Sequence, residues 1–309
     1  MCEKKLFLCR SYYHIFISLN ILINSESKGT IICVDSELKT EEIKKMRSKI
    51  NVLFEGIELE LITNSKKSYN EILNSNFYEE IYFFHWVIYK KPEYDFYRVF
   101  RKKGINLIED GTTHYGVYQN DVKTKKKYVK SIVNLMLFGK QDFVLNNNVK
   151  QVLATYPEKF PSFVNWKISN LVLSDLKDTE KNKIIKLFGL EDFKVIIPEQ
   201  KMVIIFTQPL SEDGYLVETE KISLYSDIVT KYTRENYKVF FKQHPREKTT
   251  YNFDDVVIVK KDFPGEVLNY LDLDFDKAIA VCSGVIDNIK ATEKIQLYPD
   301  FFSTYKKMN

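Results

Sequence analysis

The chain opens as an alternation of short apolar runs and amphipathic stretches. Residues 5–9 form one such run, and residues 12–23 follow with apolar positions at helical spacing. Residues 29–34, 57–62, 80–84 and 106–108 predict further strands, and the charged stretch 37–50 predicts a helix. Several of these runs are apolar without strict alternation, as in strands covered on both faces. This half therefore predicts a parallel sheet with helices on both sides.

A second alternation starts beyond a turn-rich stretch around Pro157 and Pro161 and a polar helix predicted over 175–188. Here residues 202–206, 238–241, 256–259 and 277–282 predict strands. Residues 218–236 and 265–271 predict helices, and a further helix follows Ser283 and Gly284. The pattern implies an α/β protein of two halves, 1–165 and 166–309, with a cleft between them. A length of 309 residues agrees with two domains of roughly 150 each.

Composition narrows the chemistry. There are 46 Lys and Arg against 42 Asp and Glu, a net +4 that is too weak a field to argue for nucleic acid. Cys2, Cys9, Cys33 and Cys282 stand singly, and the four histidines are far apart, which implies reduced thiols and no metal site. The first ten residues are apolar over too short a run for a signal peptide or a membrane span. The expectation is a cytoplasmic protein that visits the inner face of the membrane if its substrate is lipid-linked. The basic run 123–130 is either a surface for anionic groups or a solvated helix face.

Four polar clusters follow predicted strands directly. Glu109-Asp110-Gly111 offers two carboxylates and a turn glycine, suited to accepting a proton or binding sugar hydroxyls. Thr207-Gln208 begins a polar loop that runs through Ser211, Glu212 and Asp213 to Gly214. His244-Pro245-Arg246 sets an imidazole beside a permanent cation, a pairing that suits a phosphate leaving group. Ser283-Gly284 leads from a strand into a helix, where a serine N-cap or an anion site would sit. Asp272, Asp274 and Asp276 resemble an acidic metal triad, but they fit an exposed connection between elements better.

In that order, the acid-acid-Gly, His-Pro and Ser-Gly clusters resemble the three short motifs of bacterial sialyltransferases. With the Gln-Pro loop and the His-Pro-Arg form, they are most similar to glycosyltransferase family 52, over roughly residues 5–290. The resemblance implies a GT-B fold of two Rossmann-like domains facing a central cleft, with the sugar nucleotide held mainly by the second, CMP-sialic acid as donor, inversion at the anomeric carbon and no cofactor or metal. It implies that His244 protonates or stabilises the departing phosphate, that Ser283 and nearby backbone amides hold the same group, that Arg246 supports the phosphate or the donor carboxylate, and that Glu266 binds the ribose hydroxyls. Asp213 is the expected base, with Glu212 and Asp110 as alternatives. The third motif is Ser-Gly rather than Ser-Ser, so one hydroxyl is missing. The implied acceptor is a galactose-terminated capsular or lipooligosaccharide glycan, joined in α2,3 linkage, and a homodimer is compatible with the family. Acceptor contacts are expected in the first domain, with the loop 10–14 among them. The competing readings are another GT-B enzyme with a UDP- or CDP-linked donor, and a non-catalytic nucleotide-sugar-binding protein.

Overall fold

The computed structural model describes residues 4–34, 38, 40–62, 78–84, 93–110, 147–160, 167–173, 175–193 and 200–298. Gly111 and the basic run 123–130 lie outside these residues. The chain divides into two compact units, Met1–Lys183 and Ile184–Asn309. This boundary is later than the expected 165/166, because a short strand at Ile168–Asn170 pairs with the first sheet and carries the chain onward with it.

The first unit is built on β1 (Lys4–Cys9), β2 (Lys28–Val34), β3 (Ile57–Ile62), β4 (Tyr78–Phe83), β5 (Ile105–Ile108), β6 (Val149–Ala154) and β7 (Ile168–Asn170). Their order is β3-β2-β1-β4-β5-β6-β7, and every pairing is parallel. Helices α1 (Tyr12–Asn24), α2 (Thr40–Leu53) and α3 (Glu93–Phe100) are its described helices, and the division between the units falls within α4 (Asp178–Leu187). The apolar runs of β1, β2 and β5 are buried along almost their whole length, as continuous hydrophobicity requires. Leu6, Leu8, Ile32, Phe83, Phe96 and Phe100 belong to one core cluster on this sheet.

The second unit repeats the design. Strands β8 (Met202–Phe206), β9 (Lys238–Lys242), β10 (Val256–Val259), β11 (Phe275–Val281) and β12 (Ala291–Leu297) form a parallel sheet in the order β10-β9-β8-β11-β12. Helix α5 (Glu218–Arg234) buries Tyr225, Ile228, Val229 and Tyr232 among core residues of these strands. A 3-10 helix spans Gly265–Tyr270, and α6 (Val285–Asn288) is a single turn.

The expected α/β architecture with parallel sheets is therefore present in both units. Each sheet reverses its strand order once, at β1/β4 in the first and at β8/β11 in the second. Such switch points open a crevice at the carboxyl ends of the strands, where α/β proteins bind ligands. The acid-acid-Gly cluster follows β5, next to the first switch. The Thr207 loop follows β8 and the Ser283 turn follows β11, flanking the second.

Candidate active site

In the first unit, Ser11 caps α1 by accepting a hydrogen bond from the His14 backbone N–H (3.2 Å). That cap places His14 in the first helical turn, just beyond the end of β1. Its Nδ1 accepts from the Arg10 backbone N–H at 3.0 Å, and its Nε2 lies 2.9 Å from Asp110 Oδ1. The imidazole is 2% exposed and stacks on Phe84, with ring centroids 4.2 Å apart and planes 7° from parallel. The Asp110 side chain is 39% exposed. Neighbouring Glu109 is buried and accepts from the Thr155 backbone N–H, a contact that ties β5 to the loop after β6. Glu109 is thus held within the protein, whereas Asp110 faces outward.

In the second unit, the end of β8 is joined to the end of β9. Buried Thr207 accepts from the His244 backbone N–H through Oγ1 (3.0 Å), and its own N–H donates to the Lys242 carbonyl. The Gln208 N–H donates to the Tyr225 hydroxyl at 2.7 Å. Pro245 fixes the backbone after His244, and the Arg246 N–H donates to His244 Nδ1 at 3.1 Å. With Nδ1 filled, the ring proton belongs on Nε2. Burial, and then the Arg246 and Lys242 cations, push the His244 pKa down to about 3. The imidazole is therefore a neutral hydrogen-bond donor, not the imidazolium that would act as a ready-made acid. A phosphate dianion beside it would favour the protonated form.

The Arg246 guanidinium forms a two-armed ion pair with Asp213, at 2.7 and 3.0 Å. Both oxygens of the expected base are thus engaged by a cation, and a phosphate would compete with Asp213 for Arg246. Glu212 is held more tightly still. Its Oε2 lies 2.6 Å from the ammonium of fully buried Lys221, and its Oε1 accepts from the Lys248 N–H at 2.7 Å. Burial opposes its ionisation, yet these bonds outweigh it and hold the carboxyl down at about 2. Glu212 is a structural anchor of the loop.

Gly265 is where the Glu266 segment meets the sheet. A Cβ there would lie 2.6 Å from Val285 Cγ2 and 2.8 Å from Phe206 Cε1, so only glycine permits this approach. Glu266 itself is buried, and burial pushes its carboxyl up to about 7. Nearby Lys242 is also buried. Its ammonium donates to the Gln243 and Lys261 carbonyls, and desolvation lowers its pKa to about 7.

The Ser283 turn departs from expectation. The N-cap of α6 is Gly284, with no side-chain cap, and a single-turn helix supplies little dipole for an anion. Gln296 on β12 occupies the turn instead. Oriented to satisfy its neighbours, its amide oxygen accepts from the N–H groups of Cys282 (2.6 Å) and Ser283 (2.9 Å), and its nitrogen donates to the Ser283 carbonyl (3.2 Å). The backbone amides expected to hold a phosphate are thus bonded within the protein. Of the acidic triad, Asp276 accepts from the Met202 N–H at 2.8 Å and anchors the start of β8.

Sequence reasoning missed two residues here. Gln296 gave no signal, since a lone glutamine on a polar strand is unremarkable. Glu247, next to the His-Pro-Arg cluster, is 1% exposed, and neither of its carboxyl oxygens has a hydrogen-bond partner among the described residues. Burial pushes its pKa up to about 7, from an ordinary 4.5. The native carboxyl therefore keeps its proton to about 7, whereas the unfolded one releases it near 4.5. Stability from this group is complete below 4.5 and is lost as pH rises through 7. Glu247→Gln should remove this dependence. Its stability relative to wild type should improve by on the order of 2–3 kcal/mol between pH 5 and pH 8, read from urea denaturation at each pH.

The first unit thus carries a part-exposed carboxylate held by a buried histidine, and the second carries a histidine followed by an arginine that is paired with Asp213. Comparison with known proteins places this chain. It belongs to the alpha-2,8-polysialyltransferase family, whose model matches residues 6–282. It is also 37% identical over 189 residues to an uncharacterized protein of Haemophilus influenzae, covering 59% of this chain and 58% of that protein. The match therefore spans little more than half of that relative's length. Among solved structures, a UDP-N-acetylglucosamine 2-epimerase from Rickettsia bellii is similar with a TM-score of 0.40 and 12% identity, over 91% of this chain and 74% of that one. An OtsA apo structure has a TM-score of 0.37 and 9% identity, over 94% and 80%. Among the described residues, no helix is long and apolar enough to cross a membrane.

Proposed function

We propose that the protein is an inverting sialyltransferase that moves sialic acid from CMP-sialic acid to a hydroxyl of a bacterial surface glycan. The observation that carries this reading is membership of the alpha-2,8-polysialyltransferase family over nearly the whole chain. In the proposed reaction, a bond forms between the acceptor oxygen and the anomeric carbon while the bond from that carbon to the phosphate oxygen breaks. The acceptor proton passes to a carboxylate, and the electron pair leaves on CMP.

Asp110 is the base this reading favours over Asp213. The Asp110 side chain is 39% exposed against 28% for Asp213, and it is oriented by a buried histidine rather than by a guanidinium. The leaving phosphate would be met by the His244 Nε2–H and the Arg246 guanidinium, donors that need no metal. Thr207 orients the His244 backbone, and Gln208 and Pro245 shape the same loops. Glu266 keeps its proposed place at the ribose only if donor binding uncovers it, because the carboxyl is buried.

The family's name favours a sialic-acid-terminated acceptor and an α2,8 linkage over the galactose and α2,3 linkage implied by the sequence motifs. A lipid-linked glycan at the inner membrane face, and a homodimer, belong to the same proposal. The test is CMP release from CMP-sialic acid with lactosides, with sialyl-lactosides or with no acceptor, in excess EDTA. Acceptor-dependent release in EDTA is expected, and His244→Ala should lower it roughly 10²–10³-fold. Release only with a UDP- or CDP-linked sugar would assign another glycosyltransferase activity. Nucleotide binding without turnover would assign a binding role.

A further inference from the structure

The carboxyl ends of β1, β4 and β5 are neighbours, because these strands are consecutive in the first sheet. Each contributes to one small cluster: His14 follows β1, Phe84 follows β4 and Asp110 follows β5. The imidazole is constrained from several sides. Ser11 caps the helical turn that carries it, the Arg10 N–H fills Nδ1, Phe84 covers one face, and Tyr13 meets it edge-on at 6.3 Å. Since Nδ1 accepts a backbone proton, the neutral ring must carry its own proton on Nε2, directed at Asp110 Oδ1. A surface His–Asp pair formed by chance would need none of this support.

We infer that His14 is a positioning residue, which holds the Asp110 carboxylate in the orientation needed to take the acceptor proton. The inference rests on the proposed transfer and on Asp110 as its base. At 2% exposure, the imidazole is too covered to meet an acceptor itself, whereas the carboxylate it holds faces outward. This reverses the more familiar arrangement, in which a buried carboxylate orients an exposed histidine. The imidazole donates one hydrogen bond, takes no proton from the acceptor and restricts the rotation of Asp110. Misplacement of a reacting group by a fraction of an ångström is enough to slow a reaction substantially.

The test compares H14F, which keeps a ring against Phe84 but has no donor, with H14Q, which keeps a donor but has no ring. In H14F, kcat for acceptor-dependent transfer should fall about 10–100-fold, while KM for CMP-sialic acid stays near the wild-type value. H14Q should recover much of the lost kcat. In a D110N background, H14F should cost no further kcat, because the two residues act as one unit. Independently of activity, nitrogen NMR of the wild-type ring should place its proton on Nε2. A proton on Nδ1, or full kcat in folded H14F, overturns the inference. Dead D110N beside active H14F removes this inference alone, whereas normal transfer by D110N removes the base reading and this inference with it.

Discussion

Asp110→Asn should lower acceptor-dependent sialyl transfer by roughly 10²–10⁴-fold, the usual span for loss of a general base. The amide keeps the size of the carboxylate, and its oxygen can still accept from His14 Nε2, so the fold around α1 and β5 should persist. What is lost is the ability to take a proton. KM for CMP-sialic acid should change little, since the proposed function gives the donor phosphate to His244 and Arg246 rather than to Asp110. The measurement is steady-state transfer with saturating donor and acceptor, alongside a thermal melt. Asp213→Asn is the natural comparison. If Asp213 were the base, it would show the larger loss, and D110N would transfer close to normally. If Asp213 serves to hold Arg246, its replacement should act chiefly on donor KM.

Glu212→Ala should cost ~3–5 kcal/mol of stability. Lys221 is fully buried, and Glu212 is its ion-pair partner at 2.6 Å. Truncation leaves a buried ammonium unpaired and strips an acceptor from the Lys248 N–H and the Ser211 hydroxyl. Replacing both members, as in Glu212→Leu with Lys221→Met, should recover most of the loss, because two apolar groups need no compensation. The pair also gives an acid signature. The folded Glu212 titrates at about 2 against an ordinary 4.5, so its contribution is complete above 4.5 and is lost as pH falls through 2. Urea midpoints at neutral pH test the first claim, and acid titration of wild type against the double variant tests the second. A loss below about 1 kcal/mol would mean that neighbouring Glu247 ionises and takes over Lys221.

The strands that were legible in sequence are those buried on both faces. β1, β2, β8 and β9 carry unbroken apolar runs, and such runs have few uses besides a covered strand. β6, β7 and β12 were not anticipated. β12 reads ATEKIQL and lies at the edge of its sheet, while β7 has three residues at the edge of the other. Edge strands are held by backbone hydrogen bonds to one neighbour, and backbone pairing leaves no trace in side-chain hydrophobicity. β6 is an inner strand, but its run VKQVLA mixes Lys and Gln into the apolar pattern.

The polar clusters were legible for a related reason. A parallel sheet presents its loops at the carboxyl ends of its strands, so Asp110, Thr207, His244 and Ser283 could be marked from strand ends alone. Their partners could not. His14 and Asp110 are 96 positions apart and meet only because β1, β4 and β5 are adjacent. Arg246 and Asp213 meet across 33 positions, which turns the expected base into the partner of a cation. Gln296 reaches the Ser283 amides because β12 pairs with β11.

The sequence by itself determined the two parallel α/β units and the residue types available at each strand end, because apolar periodicity and turn chemistry are local properties of the chain. The tertiary structure alone decided which carboxylate is committed to a cation, which is held by a buried imidazole, and which amides are already bonded. Those outcomes depend on strand order, and strand order brings together groups that no local pattern connects.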